Sequence, residues 1–180
     1  MKRVALIPIL LGSTRIADKN LLLVDGYPMV FYVARACMQD QIFDEIHINS
    51  EHEIFRHVAE MLGVKFYKRM PERGGSACTM SNKSRQCTGT RCQTHDHFLF
   101  DFMQAVDSSY LALVHTTSPL LKPETIREFM FLLEKDNYDS LSSVEERYTE
   151  TLFGGKPLNF SLSKKIPTQT LGSVQMITWA

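Results

Sequence analysis

Short, continuous apolar runs alternate along this chain with stretches whose apolar residues recur every three to four positions, and few folds accept that alternation. Residues 4–11, VALIPILL, form the first run and end at Gly12-Ser13. A run that is apolar at every position suits a strand buried on both faces, as in a parallel sheet. Residues 21–24 form a second short piece, closed by Asp25-Gly26 as a turn. Pro28 is then placed for the first turn of a helix to about Gln39, with Val30, Val33, Ala34 and Cys37 at helical spacing. Residues 45–49 alternate as a strand. Ser50 and Glu53 have capping-box spacing for a helix with Ile54, Val58 and Met61 on one face and Gly63 as its stop. Residues 64–67 make the next strand. The order predicts an α/β fold, a mostly parallel sheet with helices on both faces and right-handed crossovers.

Residues 68–93 interrupt the rhythm with a Gly-, Ser- and Thr-rich stretch that has neither period. A loop of that length within a compact domain is functional or disordered. The period returns in a helix over 94–106 carrying Phe98, Leu99, Phe102 and Met103, then a buried strand over 110–114. A helix over 124–135 follows, with Ile126, Phe129, Met130 and Leu133 inward. Residues 139–144, DSLSSV, read as one more strand, after which the chain turns polar and, from Tyr148, loop-like, with GGKPLN as a turn. No internal repeat or linker stands out, so 1–180 reads as a single domain, a length that buries a sizeable core.

Twenty basic residues balance twenty acidic ones, which leaves no overall bias toward nucleic acid or membrane. No apolar run has the length of a membrane span. The opening Met1-Lys2-Arg3 and its apolar run superficially resemble a signal peptide, but polar GSTRIADKN stands where a cleavage site belongs. A cytoplasmic protein with reduced Cys37, Cys78, Cys87 and Cys92 is the expectation.

Ligands of an open parallel sheet bind beyond the carboxyl ends of its strands, where three polar segments emerge. Residues 12–20 offer backbone amides at Gly12 and Ser13 and the cations Arg15 and Lys19, as a polyphosphate requires. The segment is neither a Walker loop nor a GxGxxG fingerprint, and a solvated loop with incidental cations is the plain alternative. Residues 115–124, HTTSPLLKPE, form a tight polar strand end that also reads as a helix start. In residues 73–95 the charged side chains are Arg73, Lys83, Arg85 and Arg91, with no acid among them. That suits an anionic substrate, though a surface loop that binds nothing has the same composition. Cys78, Cys87, Cys92, His95 and His97 are metal-ligand types, but their spacing lacks the paired CxxC of structural zinc sites. No GxSxG nucleophile elbow occurs.

In order, these segments resemble the acylneuraminate cytidylyltransferases and their KDO-type relatives. The resemblance rests on Ile7-Pro8, Gly12-Ser13, Arg15-Ile16, Lys19-Asn20-Leu21 and Gly26-Tyr27-Pro28, then FDEIHINSEHEI, LVHTTSPLLKPETI and DSLSSVEE, and runs from about Lys2 to Val174. It implies a GT-A-like nucleotidyltransferase with a Rossmann-like sheet. The implied reaction is attack by the anomeric hydroxyl of a 2-keto sugar acid on the α-phosphorus of CTP, with Mg²⁺ as cofactor and pyrophosphate leaving. It further implies that Arg15 and Lys19 hold the triphosphate as the catalytic cations and that Gly12, Ser13 and Asn20 complete the nucleotide site. Arg69, Arg85, His115, Thr117 and Ser118 are the expected substrate-side residues. A homodimer is expected, with Phe153, Leu158 and Phe160 candidates for its contact or for burial within the subunit.

The chain departs from the family pattern at Leu10 and Leu121, where arginines are usual, at Thr14 (lysine), at Ser50 (aspartate) and at His115 (glutamine). Lys83, Arg85 or Arg91 are candidate replacements for the missing cations. The family's acidic metal ligands and part of its dimer contact lie beyond the point where QTLGSVQMITWA ends. The expectation is therefore a fragment or a short protein, its metal ligands unknown and Asp96 and Asp101 candidates by composition alone. Three readings stay open: a CMP-sugar-acid synthetase, a non-catalytic binding or assembly relative, and a transferase that uses another nucleotide.

Overall fold

The computed structural model describes residues 1–11, 16–71, 95–136, 138–164 and 166–177, with the side chains of residues 40 and 95–97 outside that description. Residues 72–93 of the long basic loop, Arg85 among them, therefore lie outside the described residues, as do Gly12, Ser13 and Arg15. Two compact units are distinguished, Met1–Leu132 and Leu133–Ala180.

In the first unit the predicted alternation forms a four-stranded sheet. Strands β1 (Arg3–Pro8), β4 (Glu45–Ser50), β5 (Lys65–Lys68) and β6 (Tyr110–Leu113) lie in the order β5-β4-β1-β6, and every pairing is parallel. Between β1 and β4 come a small hairpin, β2 (Leu23–Val24) and β3 (Tyr27–Pro28), and helix α1 (Met29–Met38). The hairpin turns on Asp25 and Gly26, both at positive φ, a conformation that joins two strands with the correct twist. Helices α2 (Ile54–Leu62), α3 (His95–Ala105) and α4 (Pro123–Lys135) complete the alternation.

The apolar run does what its composition predicts. Val4, Ala5, Leu6 and Ile7 are all fully buried, and because successive side chains point to opposite faces, both faces of β1 are covered. On one face Val4 and Leu6 pack with Phe98 and Phe102 of α3. His47 and Tyr67 each present an edge to Phe102 at 5.0 Å. Burying a ring of that size stabilises the fold by about 2–3 kcal/mol.

Three sequence expectations are corrected. Ser50 does not cap α2: it ends β4, its hydroxyl accepts the His52 N–H, and α2 starts four residues later at Ile54. The buried face is also one residue out of phase with the expected one, about 100° of rotation: Phe55 and Ala59 point inward while Ile54 and Met61 are exposed. Met103 of α3 is likewise exposed, its neighbours Phe98 and Phe102 filling the core instead. The strand expected over 139–144 lies at Val144–Arg147 (β7), through the polar EER. In the second unit β7 pairs, among the described residues, with β10 (Val174–Ile177), antiparallel, and its four residues are exposed. A ribbon with no buried face does not require apolar alternation. Strands β8 (Leu152–Phe153) and β9 (Lys156–Pro157) form a hairpin about Gly154 and Gly155, both at positive φ, which places the GGKPLN turn within a hairpin.

Candidate functional site

Sheet order locates the site. The chain passes from β1 outward to β4 and β5, then returns to the other side of β1 as β6. Connections therefore diverge between β1 and β6, and at such a switch point the carboxyl ends of the strands border a ligand crevice. Lys19, Asn20, His115, Thr117 and Ser118 follow the carboxyl ends of β1 and β6 and are thus brought to this edge.

Asn20 is the best-defined of them. It lies in a 3-10 turn, Lys19–Leu21, and is 6% exposed. Its Nδ2 donates to the Leu10 carbonyl at 2.9 Å, while its Oδ1 accepts from Thr116 Oγ1 at 2.6 Å. Both ends of the amide are engaged within the protein. Lys19, next to it, is half-buried. After β6 the exposure alternates: Val114 and Thr116 are buried, His115 and Thr117 half-buried. Thr117 Oγ1 is a buried hydroxyl with no partner among the described residues. Ser118 closes a turn, its carbonyl accepting the Leu121 N–H.

A pocket of about 170 Å³ opens at the carboxyl ends of β4 and β5. Asn49, Tyr67, Lys68, Arg69, Phe98 and Asp101 line it, and it is large enough for one end of a ligand, since whole ligand sites run to about 300–1,000 Å³. Arg69 forms its cationic wall at 4% exposure. The guanidinium donates from Nε to Asn49 Oδ1 and from Nη2 to the Asn49 carbonyl, and lies 4.4 Å from the centre of the Phe98 ring. Burial pushes its pKa down to about 10 and the nearby Glu51 charge opposes that shift, so Arg69 is a cation at neutral pH. Glu51 is buried beside His52 at 2.9 Å.

Sequence reasoning missed Asn49 and Thr116. Asn49 is a polar residue near the end of an otherwise buried strand, a usable signal. Thr116 is one of two adjacent threonines, and only the strand-end geometry distinguishes them. Among the described residues no three His, Cys, Asp or Glu side chains converge as a metal site. Mg²⁺ at phosphate sites takes one or two carboxylates with substrate oxygens as further ligands. Asp101 is the carboxylate that lines the pocket.

Comparison with known proteins gives the following. A family model described as cytidylyltransferase matches residues 4–165. The chain is similar to N-acylneuraminate cytidylyltransferase A of Danio rerio, 28% identical over 137 residues, which cover 76% of this chain and 29% of that protein. It is similar also to an N-acylneuraminate cytidylyltransferase of Streptococcus agalactiae serotype V, 28% identical over 148 residues, covering 81% of this chain and 32% of that protein. The chain thus spans about a third of the length of these curated relatives. Among solved structures, a CMP:2-keto-3-deoxy-manno-octonic acid synthetase complexed with CTP superposes with a TM-score of 0.58 at 18% identity, over 76% of this chain and 49% of that one. At that identity the likeness establishes the nucleotidyltransferase fold.

Proposed function

The chain belongs to the cytidylyltransferase family, and from that premise we propose that it transfers CMP from CTP to a 2-keto sugar acid of the sialic-acid or KDO type. A bond forms between the anomeric oxygen of the sugar acid and the α-phosphorus, the bond from that phosphorus to the bridging oxygen breaks, the hydroxyl proton is lost and pyrophosphate leaves. Such transfers are accelerated chiefly by positioning and by charge placed where negative charge develops.

The observation that carries this reading is the switch point between β1 and β6, where the Lys19 turn and the 115–118 segment share one edge of the sheet. In this reading Lys19 and Arg15 neutralise the triphosphate, with Gly12 and Ser13 approaching by backbone. Arg69, buried and charged beside the pocket, and Arg85 attract the acid. His115, Thr117 and Ser118 border the crevice. Mg²⁺ would supply further neutralisation of the phosphates. The partner in assembly is a second copy of the chain, a reading supported by the exposure of Leu152, Phe153, Leu158 and Leu162 in the Leu133–Ala180 unit.

The test is calorimetric titration of the full chain with CTP, ATP, GTP and UTP, with and without Mg²⁺, followed by pyrophosphate release with N-acetylneuraminate and with KDO. Selective CTP binding and release with one of the acids is the expected result. Selective binding of another nucleotide, or no release with either acid, overturns the proposal.

A further inference from the structure

We propose that Asn20 and Thr116 are positioning residues of the nucleotide site, a two-residue clasp that sets Lys19. The inference rests on the reading of Lys19 as a triphosphate cation given above.

Leu10 and Asn20 are ten residues apart in the chain, yet the Asn20 Nδ2 donates to the Leu10 carbonyl at 2.9 Å. One side-chain bond therefore joins the residue just beyond β1 to the turn that carries Lys19. The turn has its own backbone bonds, from the Leu21 N–H to the Asp18 carbonyl and from the Leu22 N–H to the Lys19 carbonyl. Asp18, at φ 46°, leads into it without a side-chain cap. Neither bond links the turn to the sheet. The Asn20 amide supplies such a link, and its opposite end accepts from Thr116 Oγ1, 96 residues away, at 2.6 Å.

Both partners are buried, Asn20 at 6% and Thr116 at 4% exposure. The Leu10 carbonyl can only accept, which settles which way the amide faces: Nδ2 meets Leu10, and Oδ1 is left to accept from the Thr116 hydroxyl. Thr116 thus satisfies and anchors the far end of the amide that ties the turn to the residue after β1. Each end of the amide has one bond within the protein, which fixes the Asn20 side chain in place. Its neighbour Lys19, on the same three-residue turn, is the group that gains from the arrangement. A flexible lysine ordered before binding loses less entropy when it meets a phosphate, so the clasp acts on nucleotide affinity.

Thr116→Val tests this, because it removes the hydroxyl and keeps the shape. In the full chain its circular dichroism spectrum is expected to match the parent's, while CTP affinity by calorimetry weakens about tenfold, the effect of one buried hydrogen bond lost with its acceptor left unpaired. Thr116→Ser restores the hydroxyl and is expected to recover most of the affinity. Asn20→Leu, which removes both bonds, is expected to weaken CTP binding at least as much as Thr116→Val. In Lys19→Met the Thr116→Val change is expected to have little further effect, because the residue it positions is gone. Parent-like CTP affinity in a folded Thr116→Val protein overturns the clasp. So does a loss that Thr116→Ser fails to recover, or an undiminished loss in the Lys19→Met background. A parent chain that binds no CTP instead overturns the reading of the site itself, so the two failures are distinguishable.

Discussion

Arg69 shows what burial does to a side chain that sequence alone would assign to a ligand. Its guanidinium is spent largely on the protein, through two bonds to Asn49 and a face-on approach to Phe98. What it offers the pocket is a fixed positive charge. Removing it leaves Asn49 Oδ1 buried without its donor, at a cost of about 1–3 kcal/mol. Arg69→Met is therefore expected to lower the midpoint of urea unfolding. Asn49→Leu should lower it too, and the double variant should lose less than the two single losses combined, since the pair shares its interactions. Additive losses would mean that the two residues are not energetically coupled. Arg69→Lys keeps the charge but not the planar fork, so it too is expected to lose stability while retaining more affinity for an anionic ligand than Arg69→Met. The family resemblance pointed to Arg69. Asn49, 20 residues earlier, is marked in the sequence as a polar residue on a buried strand, but its bond to Arg69 becomes visible only when β4 and β5 pair.

At the scale of elements, the amino ends of the strands form a second ionic cluster, opposite the ligand edge. Glu45, the first residue of β4, meets Lys65 at the start of β5 at 2.8 Å, Lys2 just before β1 at 2.9 Å and His47 at 2.8 Å. The hydrogen bond from Lys65, with those of His47 and Lys2, holds the Glu45 pKa down at about 2. Burial pushes His47 below its ordinary value of 6.5, and the adjacent Glu45 opposes that shift. Both shifts act in the same direction. The unfolded chain protonates His47 first as the pH drops below 6.5, so stability is full above that value and declines beneath it. Glu45 adds stability that is present above its ordinary 4.5 and is lost as the pH falls toward about 2. Urea midpoints are expected to fall between pH 7.5 and pH 5, and more steeply below 4.5. Glu45→Gln should flatten the lower part of that profile. A profile that rises toward acid would contradict these assignments. The carboxyl end of α2 was more legible than its face. Gly63 at φ 69° closes α2 as expected, its N–H reaching the Ala59 and Glu60 carbonyls. The face, by contrast, was misassigned by one residue, because Ile54 and Phe55 are adjacent apolar residues and packing alone decides which is buried.

Across the whole molecule the two units differ in how their residues are covered. The Met1–Leu132 unit contains the parallel sheet, whereas the Leu133–Ala180 unit contains small two-stranded ribbons. Isolated two-stranded ribbons are marginal in water. Phe153 is 79% exposed and Leu162 82%, and a second copy of the chain would cover such groups. Sedimentation velocity is expected to find a dimer, and Phe153→Glu with Leu162→Glu to shift it toward monomer. A parent chain that sediments as a monomer at all concentrations would reject that assembly. Among the described residues no helix is long and apolar enough to cross a membrane. What the sequence determined by itself was the kind and order of the elements in the first unit, because apolar period, turn residues and glycine stops act within a few residues of one another. Only the tertiary structure decided that β1 lies between β4 and β6, that Asn20 is tied to Thr116, and that the strand after α4 runs through polar residues. The physical reason is one of range. Periodicity records which faces must be buried, but the partner that buries them, or that completes a hydrogen bond across 96 residues, is selected by long-range packing that leaves no local mark.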